Sequence, residues 1–282
     1  MAIDNTICTA GDHNYLWGLF LLIASMRRFG MDEPVIVGTK GFTDRDRRVL
    51  EQFGGVRLVS LDHADHSLTC HKAEVMLAAE SGYVTWADSD AMFKGNCSNL
   101  LLPPDVAQIR VRRRCAAEMP GAFPKGYDLG RILPAWRRDV ADAAGLDVRT
   151  IPRVTAADVA AFRSCSACFL SVARSRERFL RTWHTLMMRL PKGDAGVVDK
   201  SLVAYHQLDE SCLNACLAFL PGARGRRSRR TRSSRRARRR APGCGRRTRL
   251  RSARRGRESA RPSPRRRGRA RASRPSSRRR RG

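Results

Sequence analysis

Asp88 and Asp90 close the stretch Tyr83-Val84-Thr85-Trp86-Ala87-Asp88-Ser89-Asp90, whose first five residues are mostly apolar, β-branched or aromatic. Such a run reads as a short buried strand that ends in two acids. In extended geometry residues i and i+2 point the same way, so both carboxylates would face one point. Two like charges that close are costly unless a cation lies between them. Hard oxygen donors of this kind suit Mg²⁺ or Mn²⁺, which in turn hold a diphosphate. The same three residues also describe a solvated turn at a strand end, so the remainder of the chain has to decide.

The elements that would position the pair follow in order. Ala2 to Thr9 reads as a first strand, and Gly11-Asp12-His13-Asn14 as turn chemistry. Tyr15 to Phe29 reads as a helix, apolar nearly all round and therefore expected to be buried, with Gly30 at its end. Pro34 to Val37 is a second strand. Thr43 is expected to cap a helix from Asp44 to Phe53, which Gly54-Gly55 stops. Val56 to Leu61 is a third strand, His71 to Ser81 a helix, and Tyr83 to Ala87 the strand that delivers the acids. This alternation predicts an α/β fold with a parallel, doubly wound sheet. In open α/β sheets ligands bind beyond the carboxyl ends of the strands, where both Thr9-Ala10-Gly11-Asp12 and Asp88-Ser89-Asp90 fall. No glycine-rich dinucleotide or P-loop fingerprint occurs there, which disfavours a dehydrogenase or a P-loop enzyme.

Beyond Lys94 the pattern weakens. Asn99 to Pro104 reads as loop and Val106 to Val111 as strand. Arg110, Arg112, Arg113 and Arg114 form a basic knot best read as a solvated face. Helices are expected over Leu133–Ala144, Ser175–Met188 and Glu210–Phe219, the last capped by Asp209, with a strand over Cys165–Val172. Trp183 and Met187 read as core.

The chain has 282 residues and a formal net charge of +30, but the charge is concentrated at one end. Residues 222–282 hold 29 Arg, no Lys and one acid, Glu258, a net +28. The first 221 residues hold 27 Lys and Arg against 25 Asp and Glu, a net +2. The N-terminus carries no basic, apolar and cleavable signal, and the apolar run Leu16–Met26 has 11 residues, too short to span a bilayer. The expected location is the cytoplasm, where the nine cysteines would be free thiols. Cys165-x-x-Cys168 and Cys212-x₃-Cys216 have a spacing that zinc can use, yet both lie in apolar runs and read as small buried side chains.

Five pieces in order resemble the family-8-type glycosyltransferases. They are Thr9-Ala10-Gly11-Asp12-His13-Asn14-Tyr15, His71-Lys72-Ala73-Glu74, Trp86-Ala87-Asp88-Ser89-Asp90, Ser164 to Ser171 and Asp209-Glu210-Ser211-Cys212-Leu213-Asn214. The resemblance implies the GT-A fold, a Rossmann-like mixed and mostly parallel sheet flanked by helices. It further implies transfer of a sugar, with retention of configuration, from a nucleotide sugar, usually a UDP-sugar, to an acceptor it does not identify. Thr9, Asp12, Asn14, Tyr15 and Ser89 would meet the nucleotide, Tyr15 offering its ring to the base. Lys72 would meet the diphosphate or donor sugar, Asp88 and Asp90 would hold Mn²⁺ or Mg²⁺, and Asp209-Glu210 would lie under the donor sugar as the catalytic pair. The chain departs from the family at Cys165-Ser166-Ala167, at Glu210 and at Ser211. It also has no histidine after His206, where the family places a third metal ligand.

The likeness ends near Leu220, so the expected division is a glycosyltransferase-like domain over 1–221 and an arginine-rich tail over 222–282. The tail has no Val, Ile, Phe, Tyr or Trp to form a core and is expected to be disordered. If genuine, it would bind nucleic acid by neutralising phosphates, and the protein would be a nucleic-acid-binding one that carries a degenerate α/β domain. The alternative is that it is an out-of-frame translation. The absence of lysine among 29 arginines, together with Ala, Gly and Pro, fits G+C-rich codons and favours the latter.

Overall fold

Runs rich in β-branched and apolar residues form six strands: β1 Asn5–Asp12, β2 Val35–Lys40, β3 Val56–Ser60, β4 Tyr83–Ala87, β5 Ile109–Arg113 and β6 Cys165–Ala173. The computed structural model describes residues 4–113, 129–155, 158, 165–190, 204–205 and 208–222. All of these lie in the first of two units into which the chain divides, Met1–Arg229. Arg114, Ser164, His206 and residues 223–282 of the arginine tail lie outside the described residues.

The strands make one sheet in the order β3-β2-β1-β4-β6-β5. Strands β3, β2, β1 and β4 run parallel, while β6 runs antiparallel to both β4 and β5. The sheet is thus mixed and mostly parallel, flanked by helices, as expected. Chain order reverses at β1: β2 and β3 are laid to one side and β4 to the other. Such a reversal opens a crevice at the carboxyl ends of the two central strands.

Seven α-helices occur among the described residues: α1 Leu16–Arg28, α2 Asp44–Glu51, α3 Lys72–Leu77, α4 Ser98–Leu101, α5 Leu129–Ala143, α6 Glu177–Met187 and α7 Leu208–Phe219. Side chains alternate across the sheet with the pleat. Ile7, Val35 and Val37 pack under α1 and α2, whereas Cys8, Ile36, Val84 and Trp86 join the core beneath α3, α5, α6 and α7. Trp136, Phe179, Trp183 and Phe219 fill that second core and are almost wholly buried. Trp183 and Met187 are core, as expected.

Several boundaries differ from the sequence reading. β1 runs on through Gly11 and Asp12, which were expected to turn, because both residues pair with β2. The helix expected from His71 to Ser81 is a 3₁₀ turn, Leu68–His71, followed by the short α3. A short helix, α4, stands where a loop was expected, and α5 starts before Leu133 with Pro134 inside it. The expectation that α1 is buried all round fails. Its inner stripe of Leu16, Leu19, Leu22, Ile23 and Met26 is buried, but Trp17 and Leu21 are 67% and 52% exposed. The capping prediction for α2 holds. Thr43 accepts from the Asp46 backbone N–H, and Asp46 accepts from that of Thr43.

Candidate active site at the crevice between β1 and β4

β1 and β4 pair in register from Asn5↔Tyr83 to Cys8↔Trp86, so their last residues emerge side by side. β1 delivers Asp12 and β4 delivers Asp88-Ser89-Asp90. The geometry assumed for the two acids does not hold, however. β4 ends at Ala87, and the Ala91 N–H donates to the Asp88 carbonyl at 2.9 Å, which bends residues 88–91 into a turn. The rule that i and i+2 share a face belongs to extended chain, so it no longer orients this pair. Asp88 is partly buried and Asp90 is exposed.

Asp88 is the anchored member. Its backbone N–H donates to the Cys168 carbonyl on β6 at 3.1 Å. Its Oδ1 accepts from Lys72 Nζ at 2.8 Å and from Trp86 Nε1 at 2.7 Å. Oδ2 has no partner among the described residues, and neither does the Asp90 carboxylate. The turn rests on α1 at Gly18. A Cβ there would stand 2.5 Å from the Ser89 carbonyl oxygen, so only glycine lets the helix approach this closely. Ser89 is buried.

Lys72 was expected to meet the diphosphate or donor sugar, and the structure places it in a buried network with Asp88 and Asp209. It is 4% exposed, and Nζ donates to Asp88 Oδ1 at 2.8 Å, to Asp209 Oδ2 at 2.9 Å and to the Ala167 carbonyl at 3.1 Å. An ammonium has three N–H donors, so these acceptors use it up. Nζ also lies 5.4 Å from the centre of the Trp86 ring. Burial alone would lower the Lys72 pKa, but the Asp209 and Asp88 carboxylates outweigh it and raise the value above that of an ordinary lysine. Lys72 therefore stays charged and joins the strand-end acid to Asp209 at the start of α7.

Asp209 is itself positioned from two sides. Leu208 has φ 43°, a left-handed conformation that is uncommon for a bulky residue. Trp183 Nε1 donates to the Asp209 carbonyl at 3.1 Å. Asn214 pins the helix to β6, accepting from Cys165 N and donating to the Cys165 and Glu210 carbonyls, all at 2.8–2.9 Å. Glu210 is 6% exposed and sits in this packed region.

Of the five residues expected at the nucleotide, Ser89 is buried in the turn after β4, and the other four are divided by the structure. Asp12 Oδ1 caps the 3₁₀ turn His13–Tyr15, accepting from Asn14 N at 2.9 Å and Tyr15 N at 3.3 Å. Asn14 is exposed, and Tyr15 is 53% exposed. Thr9 is fully buried, and its hydroxyl has no partner among the described residues. Of the basic knot, Arg112 and Arg113 are exposed, while Arg110 donates to the Leu100 carbonyl. Cys212 and Cys216 are fully buried, and burial pushes both thiols up. Among the described residues neither cysteine pair gathers a third metal-type side chain.

No protein-family profile matches the chain, and no curated protein does. Among solved structures it is similar to an apo WbbM bifunctional glycosyltransferase, with a TM-score of 0.45 and 12% identity over 77% of this chain. The chain spans 38% of the length of that protein. It is similar to an active-site mutant of LgtC, with a TM-score of 0.47 and 14% identity over 78% of this chain and 71% of that one. It also matches the galactosyltransferase LgtC in complex with donor and acceptor sugar analogues, with a TM-score of 0.45 and 14% identity over 76% and 70% of the two chains.

Proposed function

We propose that the domain is a metal-dependent glycosyltransferase that takes a sugar from a nucleotide sugar, most simply a UDP-sugar, and transfers it with retention of configuration. The observation that carries this reading is the point where chain order reverses, with Asp12 at the end of β1 and Asp88-Ser89-Asp90 directly after β4. The five sequence pieces described above supply the reaction class. The arginine-rich stretch beyond residue 222 is read as separate from this domain because of the charge split.

The donor chemistry suits a hard divalent cation. Asp88 Oδ2 and the Asp90 carboxylate are oxygen donors without partners among the described residues, and Asp90 is exposed. Two carboxylates are enough for Mg²⁺ or Mn²⁺ when substrate phosphates complete the coordination. When bound, the metal neutralises charge on the departing diphosphate. Asp12 holds the 3₁₀ turn that presents Asn14 and the Tyr15 ring to the nucleotide. Lys72 acts as a positioning residue. Its three donors fix Asp88 and Asp209, so one carboxylate keeps its free oxygen toward the metal while the other stays near the donor sugar with Glu210.

Titration calorimetry with UDP and Mn²⁺ on the full chain tests the reading. Asp90→Ala is exposed and safe to fold, and it is expected to weaken Mn²⁺-dependent UDP binding at least about tenfold, the loss of one charged ligand. Unchanged binding in Asp90→Ala, or no binding by the wild-type chain, would remove the reading.

A further inference from the structure

Four of the six histidines, His63, His66, His71 and His184, gather with Glu74 around a recess of about 370 Å³ beside the start of α3. We propose that His63, His71 and Glu74 bind a divalent cation of the zinc class, at a site distinct from the carboxylate pair after β4. Each of the three offers a ligand atom within 4.8 Å of the other two. Glu74 Oε1 lies 3.1 Å from His63 Nε2, and Oε2 lies 2.6 Å from His71 Nδ1. Tetrahedral zinc with bonds of about 2.0–2.1 Å holds its donors roughly 3.4 Å apart. The cluster is therefore near that spacing before any ion enters, and the exposed His63 has room to complete it.

An independent observation points to a missing ligand. His71 is 3% exposed; its Nδ1 faces Glu74, where an ion would take the place of the shared proton, and its Nε2 is buried with no partner among the described residues. Nδ1 of His184, on the wall of the same recess, is also buried and unpartnered. Buried polar atoms are almost always satisfied, and leaving one unmet is costly. His66 is otherwise engaged, since its Nε2 donates to the Leu190 carbonyl at 3.0 Å and braces the wall.

The donor set selects the metal. Imidazole nitrogens with a single carboxylate suit Zn²⁺ and its neighbours in the first transition row, whereas Mg²⁺ prefers oxygen alone. The two sites would thus take different ions. Because His71 directly precedes Lys72 at the start of α3, a cation here would fix the turn from which Lys72 reaches Asp88 and Asp209. The proposal does not depend on the sugar-transfer reading.

The test is a titration of the chelator-treated full chain with Co²⁺, a spectroscopic stand-in for Zn²⁺, in excess Mg²⁺ to occupy the oxygen site. One equivalent is expected to give intense visible bands from a tetrahedral nitrogen and oxygen site, displaced by Zn²⁺. His63→Ala and Glu74→Gln should each weaken binding on the order of 100-fold, and the Asp88→Asn/Asp90→Asn double variant should leave the bands unchanged. His63 is largely exposed, so its variant folds and keeps the comparison valid. Absence of bands in the wild type would overturn the proposal, as would sulfur-to-cobalt charge transfer that marks cysteine ligation. Unchanged affinity in both His63→Ala and Glu74→Gln would overturn it as well.

Discussion

His71 and Lys72 are consecutive residues, both almost fully buried, and they face opposite situations. Lys72 is satisfied: three donors meet three acceptors, two of them carboxylates drawn from β4 and α7. His71 is satisfied on one ring nitrogen and bare on the other. The difference separates two uses of buried polar groups. A closed network holds elements in place and has no capacity left for a ligand. An open one retains capacity at the cost of stability, so it is where an absent partner belongs. By this criterion the free atoms of the β4 site are Asp88 Oδ2 and Asp90, and Lys72 is scaffold.

The largest expected effect tests the closed side. Lys72→Met would leave Asp88 and Asp209 without their shared counter-charge, and breaking a buried pair of this type costs about 3–5 kcal/mol. Urea denaturation should show a loss of at least about 3 kcal/mol. Arg181→Ala removes a solvent-exposed pair to Glu177 on α6 and should cost less than about 1 kcal/mol. Similar losses in the two variants would mean that the Lys72 network is not a closed scaffold.

How far these two regions could be read from sequence differs for physical reasons. The strand Tyr83–Ala87 and the acids after it were legible because local propensity and a buried position agree there. The Asp88–Lys72–Asp209 link was not, since it joins residues from three distant segments and propensity carries no information on such contacts. The i, i+2 argument for Asp88 and Asp90 failed because the extended chain ends at Ala87, before either acid, and residues 88–91 turn. The histidine cluster gave no periodic signal. His63 and His66 sit in irregular chain between β3 and the 3₁₀ turn, and His184 lies on a helix whose buried stripe reads as ordinary core. The only local hint was the density of histidines between 63 and 71. The exposed face of α1 was misread because an all-apolar helix carries no indication of which side the sheet will leave uncovered.

A middle-sized effect sharpens the comparison at the turn itself. Gly18→Ala would place a methyl group 2.5 Å from the Ser89 carbonyl, a backbone atom that cannot rotate away. The Asp88–Asp90 turn or α1 must then shift, and overpacking of this sort typically costs about 1–3 kcal/mol. The Mn²⁺-dependent affinity for UDP should fall with it, whereas Co²⁺ binding at His63, His71 and Glu74 should not. Gly95→Ala, where an added Cβ meets nothing within 4 Å, is the matched control. A parallel loss of both metal sites in Gly18→Ala would show that the two regions are not separable.

The smallest effect concerns the rim of the crevice, where the Asp12-capped turn carrying Asn14 and Tyr15 is joined to α2 through His13 Nδ1 and Asp46 Oδ2 at 3.0 Å. Asp46 also closes the capping box with Thr43. The Thr43 backbone N–H is the main influence that holds the Asp46 carboxyl below its ordinary pKa. Burial pushes the other way, and His13 and the Thr43 hydroxyl add to the lowering. A carboxyl with a depressed folded-state pKa contributes stability above its unfolded value, near 3.9, and loses it as the pH falls through the lower folded value. Thr43→Ala removes the hydroxyl from this arrangement and should destabilise by about 1 kcal/mol at neutral pH, the usual cost of a lost N-cap. The backbone N–H remains in the variant, so part of the Asp46 stabilisation survives, and the gap between wild type and variant should narrow as the pH drops below about 3.9. Thermal melts of both proteins across pH 2 to 7 check this. A gap that stays constant into acid would mean that the hydroxyl acts only on the helix backbone and that the Asp46 carboxylate plays no part in holding the turn.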